Sequence, residues 1–142
     1  MIQENLDEII TKAKNYRDIF FNKDLAKLGD NYVNFIYSLA RSIATKSVSG
    51  EKVAGKVLTQ SIRYSELNKH IPSRTSTHEI SDGVEALLVF IWLKKKMTID
   101  DMVEILVAEL VLGDFSNRKN EFDTAVLAFT KLLNEIEKIR LF

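Results

Sequence analysis

Asp82 and Glu85 stand three residues apart in the stretch DGVEALLVF, so on a helix their carboxylates share one face, directly beside Val84, Ala86 and Leu87. A second stretch, LAKLGDNYVNF, sets Asp30 in similar surroundings, after Leu28 and Gly29 and before Tyr32, Val33, Phe35 and Ile36. Carboxylates drawn into an apolar layer need a counter-charge, and no Lys or Arg lies within a turn of Asp82 or Glu85 to supply one. A divalent cation held through oxygen would supply it. Spacing alone leaves plainer readings open. A helical chain with 20 Asp and Glu contains several D-x-x-E pairs, most of them solvated faces. Asp101 and Glu104 are read that way here, and Asp30 is equally placed to be a cap or a polar edge. The pairing of the two stretches is what singles out Asp30, Asp82 and Glu85.

Helices have to position these groups. One proline and five glycines in 142 residues, with apolar positions recurring near every 3.6, predict an all-α protein, organised as a single domain over residues 1–142. Leu6, Ile9, Ile10, Ala13 and Tyr16 stripe a first helix. A second runs over residues 24–44 with Asp24 as N-cap. Gly50 breaks the chain before a third, over residues 51–66, striped by Val53, Val57, Leu58 and Ile62. Residues 70–77, which hold the proline, form a loop. The fourth helix, residues 78–97, is the most apolar and therefore central, with Asp82 and Glu85 near its N-terminal end, where core meets solvent. Thr98 to Asp100 open a helix that continues to residue 112, with Gly113 as its C-cap, and the last helix spans residues 120–140.

A composition of 46% hydrophobic residues is enough to build a core without staples. The absence of cysteine excludes disulfides, thiolate metal sites and a cysteine nucleophile. The N-terminus MIQENLDEII is acidic and amphipathic, unlike a signal peptide, and the longest apolar run is about half a membrane span. These features predict a cytoplasmic protein with no membrane partner. Net charge is zero but unevenly spread. Residues 41–74 hold seven Lys and Arg against Glu51 and Glu66, whereas residues 75–142 hold 12 acidic and eight basic residues. Lys52, Lys56 and Arg63 are candidates to contact a polyanion, the alternative being a solvated helix face. His70 and His78 are each read as structural before they are read as metal ligands.

The stretch KLGDNYVNFIYSLA resembles the signature helix of the ribonuclease III family, in which a leucine-glycine-aspartate step precedes an apolar run. DGVEALLVFIWL is similar to that family's D-x-x-E-A-L helix, and the likeness covers residues 24–113. The short chain resembles the compact Mini-ribonuclease III branch and its small archaeal relatives. The resemblance implies a homodimeric endoribonuclease that cuts double-stranded or structured RNA with Mg²⁺, or Mn²⁺ in its place, in RNA processing. It makes Asp30, Asp82 and Glu85 the catalytic metal ligands, with Glu85 innermost. Asn34 and His78 become outer-shell groups, Asn34 offering an amide oxygen on the Asp30 face. VAGK is similar to a lysine-bearing step of the compact branch, which assigns Lys56, with Lys52 and Arg63, to RNA phosphates and 2′-hydroxyls. The chain departs from the longer members at Ala26 and Lys23, where they carry glutamates, and from the compact branch at Asn34, where it has another. A catalytically inactive RNA-binding or assembly protein of the same fold is the alternative. An unrelated helical interaction module is a third reading, which Asp30 lying far from Asp82 would establish.

Overall fold

The computed structural model describes residues 2–142, and the described residues form seven α-helices and no β-sheet. These are α1 (Ile2–Lys12), α2 (Tyr16–Phe20), α3 (Lys23–Thr45), α4 (Gly55–Tyr64), α5 (Thr77–Leu93), α6 (Ile99–Leu110) and α7 (Arg118–Glu137), with a 3₁₀ turn at Glu66–His70. The all-α expectation holds. No described helix is long and apolar enough to cross a membrane.

The centre is the pair α3 and α5, around which α2, α4 and α6 pack, with α7 against α4 and α6. Val84 and every residue from Ala86 to Ile91 is fully buried, so beyond Glu85 α5 is apolar on all sides, as a central helix must be. At roughly 1.5–3 kcal/mol for each large apolar side chain removed from water, this one helix anchors the core. Two glycines set how closely its neighbours approach. A Cβ on Gly29 would fall on the backbone carbonyl of Glu85, so α3 and α5 cross backbone to backbone at that point. A Cβ on Gly83 would meet the Phe20 ring, which brings α2 onto the opposite part of α5.

Several predicted boundaries move, each for a local reason. The first helix is interrupted after Lys12, because the Asn15 side chain accepts from the Asp18 N–H and starts α2 afresh. Asn22, not Asp24, caps α3, its side chain accepting from the Leu25 N–H at 3.0 Å, while Asp24 lies in the first turn. Thr98 caps α6 as predicted, but Asp101 closes a capping box with it, so Asp101 is more than a solvated face. Gly113 is no C-cap. The helix ends at Leu110, and Gly113 lies where any side chain would collide with Thr124.

The largest departure is at residues 51–54, predicted to be helical. They are extended, because their backbone groups already have partners on α3. Asn34 Oδ1 accepts from the Val53 N–H at 2.8 Å. The Ser38 hydroxyl accepts from the Glu51 N–H and donates to the Glu51 carbonyl. The Ser42 hydroxyl does the same for Ser49. Positions four apart on the helix therefore hold positions two apart on the strand. The spacings agree, since four helical residues rise about 6 Å and two extended residues about 6.6 Å.

Candidate metal centre and nucleic-acid interface

Asp30 from α3 and Asp82 and Glu85 from α5 line one cavity of about 420 Å³. The helix crossing at Gly29 explains the juxtaposition. The residue after Gly29 is Asp30, and the carbonyl against which Gly29 packs belongs to Glu85, so this close approach sets the two carboxyl groups side by side. All three acidic side chains are half-buried. Burial pushes the Glu85 carboxyl up to about 8 from an ordinary 4.5, helped by a hydrogen bond to Asp30 and by the charges of Asp30 and Asp82. In the absence of a cation the site therefore favours the protonated form of Glu85, hydrogen-bonded to Asp30. Asp82 turns instead to His78, whose Nε2 lies 3.3 Å from Asp82 Oδ2 on the adjacent turn. Among the described residues no three such groups already surround a common point in metal-ligand geometry. An ion shared by all three requires Glu85 to lose its proton, whereas the His78 contact engages only the Oδ2 of Asp82.

The counter-charge missing from the local sequence comes from elsewhere in the chain. Lys52, on the extended strand, lines the cavity together with Lys23 and Lys27 of α3. The Lys52 charge is the one that opposes the rise in the Glu85 pKa. Ala26 is also at the wall. Asn34 stands differently from the expectation. Its amide oxygen is taken by the Val53 N–H, and its amide nitrogen faces Asp30 Oδ1 at 3.4 Å. A backbone N–H can meet only the oxygen of that amide, so the orientation is fixed and Asn34 turns its nitrogen, not its oxygen, toward Asp30.

A second depression, about 480 Å³, continues from the first across Gly55, His78 and Ser81 and is lined by Lys56 and Arg63 of α4. Lys52, Lys56 and Arg63 are exposed, and none forms an ion pair among the described residues. The basic third of the chain is narrower than its composition suggests. Arg41 is consumed by Glu121 at 2.6 Å and Glu51 at 3.5 Å, and Lys69 by Glu137 at 2.9 Å. His70 is structural as read, its ring stacked on Tyr16 with centroids 4.1 Å apart. The expectation that Lys56 and Arg63 contact a polyanion requires that changing both to Ala weaken RNA binding alike for every sequence and lower the slope of log K against log salt by about 1–2. A titration of duplex RNA at several salt concentrations checks this. An unchanged slope in a folded double variant would reduce the shelf to solvated surface.

The family model described as Ribonuclease III matches residues 23–141, from the first turn of α3 to beyond α7. No curated protein matches the chain.

Proposed function

Because the chain belongs to the ribonuclease III family, we propose that it is a divalent-metal-dependent endoribonuclease that hydrolyses phosphodiester bonds in double-stranded or structured RNA during RNA processing. The observation that supports this most is the single cavity in which Asp30, Asp82 and Glu85 crowd together beside a shelf of unpaired cations. A set of carboxylates with no thiolate suits a hard ion such as Mg²⁺, or Mn²⁺ in its place, which would supply Lewis acidity to activate water and steady the charge on the phosphoryl group. Asp30, Asp82 and Glu85 would hold that ion. Burial first, and then the neighbouring carboxylates, raise the Glu85 pKa, and a cation in the cavity would offset both. Lys56 and Arg63 hold RNA phosphates next to the cavity, and His78 orients Asp82. In the reaction the water oxygen bonds to phosphorus, the P–O3′ bond breaks and its electron pair leaves on O3′. The proton lost by water is balanced by one gained at O3′.

Duplex RNA incubated with the protein in Mg²⁺ and again in EDTA, read on a gel, tests this: cutting is expected with Mg²⁺ alone. Binding without cutting in either condition would favour an RNA-binding protein that has lost hydrolysis. Lys23 and Ala26 at the cavity wall, where the family resemblance leads one to expect carboxylates, are the observation on that side.

The same reading includes a homodimer in the manner of the compact branch. The outer face of α3 leaves Phe35 at 55% and Ile43 at 52% exposed, and Val48 just beyond it at 97%. With Leu39 they line an apolar groove of about 720 Å³. Knobs and groove lie on one face, as a two-fold interface requires, and two copies would bring two sites to the two strands of a duplex. Light scattering at micromolar concentration should give twice the 16.3 kDa chain mass, and Phe35→Glu with Ile43→Glu should give a folded monomer. A wild-type mass of 16.3 kDa would sink the dimer.

A further inference from the structure

Of the three cations assigned to RNA, only Lys52 borders the carboxylate cavity. Lys56 and Arg63 line the neighbouring shelf. Their backbones also differ. Lys56 and Arg63 project from an ordinary helix face, whereas Lys52 sits between two residues whose backbones are bonded to α3, Glu51 through Ser38 and Val53 through Asn34. The helix that carries Asp30 therefore also fixes the origin of the Lys52 side chain. Asn34 is the joint, because one amide holds the strand through its oxygen and faces Asp30 through its nitrogen. A lysine that only adds affinity for a polyanion needs no such registration.

Charge balance says what a registered ammonium does there. Three ionised carboxylates outweigh a single divalent ion, and the phosphodiester brings a further negative charge. Beyond the ion, positive charge can come only from the lysines that line the cavity, at the point where the phosphoryl oxygens gather negative charge during attack by water. Lys23 and Lys27 also border the cavity, but the Lys23 charge acts on Glu79, and neither is held by a second element.

We propose that Lys52 is a catalytic residue whose ammonium, delivered by the strand pinned along α3, neutralises a non-bridging oxygen of the phosphate being cut, with Asn34 as the positioning residue that registers Lys52 against Asp30. This rests on the reading of the site as a hydrolytic one. Lys52 takes part in no proton transfer. It stabilises charge, while the bond made to water oxygen and the bond broken to O3′ balance as above.

The test separates binding from chemistry in the full chain. Affinity for a duplex RNA is measured in EDTA over a range of salt, and the single-turnover cutting rate is measured in Mg²⁺ at saturating RNA. Lys52→Ala should cut about 10²–10³-fold more slowly, the scale seen when a fixed electrostatic donor is removed, with affinity changed by less than about threefold. Lys52→Arg, which keeps the charge, should recover most of the loss. Lys56→Ala should do the reverse of Lys52→Ala, losing affinity and salt slope but little saturating rate. Asn34→Ala should lose much of the same rate, and in the double variant with Lys52→Ala the losses should be less than multiplicative, because both act on one group. A folded Lys52→Ala protein that cuts at the wild-type saturating rate, or whose only defect is affinity, overturns the proposal. Fully multiplicative losses remove Asn34 from it. A wild-type chain that never cuts in Mg²⁺ or Mn²⁺ brings down the hydrolytic reading itself, and this assignment with it.

Discussion

Glu85→Gln is expected to leave duplex RNA bound at least as tightly as in the wild type while cutting falls about 10³-fold, near 4 kcal/mol of barrier. The substitution keeps size and hydrogen bonding but removes the innermost candidate ligand, together with some of the negative charge that repels phosphate. It should also change how the fold responds to pH. In the metal-free protein Glu85 is held at about 8 against an ordinary 4.5, so the folded state binds its proton more tightly than the unfolded state does. That contribution to stability is fully present below pH 4.5 and is lost as pH rises towards about 8. Discounted for a side chain that is only partly withdrawn from water, the loss is roughly 1–2 kcal/mol. Melting in EDTA should therefore become easier from pH 5 to pH 8 in the wild type. Glu85→Gln, with nothing to ionise at this position, should lose that fall and melt higher than the wild type at pH 8. Mg²⁺ should act in the opposite sense, stabilising the wild type more as pH rises, because its ligands must be ionised to bind. Equal turnover by the variant would remove Glu85 from the mechanism, and a wild type with no pH dependence would mean that its carboxyl is not crowded.

The acidic half of the site is legible in the sequence because helical periodicity makes i and i+3 neighbours, so Asp82 and Glu85 share a face as soon as α5 is recognised. Asp30 needs the second motif. The basic half is harder to read, because Lys52 reaches the cavity on a strand with no periodicity of its own. Val53 is buried and fits the stripe of Val57, Leu58 and Ile62, which makes the strand look like the first turn of α4. The signal that marks it lies on α3. Asn34, Ser38 and Ser42 recur every four residues along the part of α3 that is apolar but for them and Arg41, a polar file that implies a chain segment to hydrogen-bond. Arg41 shows the converse limit. Its charge counts as basic surface in the composition but is cancelled by Glu121, which lies 80 residues away in the chain. Gly29 was visible as part of a motif, but what it does could be seen only once α5 was in place.

That role yields the other large expected effect. By helix propensity alone Gly29→Ala should stabilise α3 by about 1 kcal/mol. The structure requires the opposite sign. The new methyl would fall on the carbonyl carbon and oxygen of Glu85, and a backbone cannot swing aside as the tip of a side chain can. The helices must separate, at a cost of about 2–4 kcal/mol in the tightest packing of the core. Gly50→Ala, where nothing lies within 4 Å of an added Cβ, should change stability by less than about 0.5 kcal/mol in the same denaturant titration. Separation should also reach the chemistry, because Asp30 follows Gly29 and faces Glu85. With Asp30 drawn away, Glu85 loses a hydrogen bond and a neighbouring charge, so the pH dependence of stability should shrink. At a temperature where Gly29→Ala is still folded, cutting should fall by far more than the folded fraction does. A stabilised Gly29→Ala protein that cuts normally would show that α3 and α5 do not meet at this point, and the carboxylate cavity would lose its geometric basis.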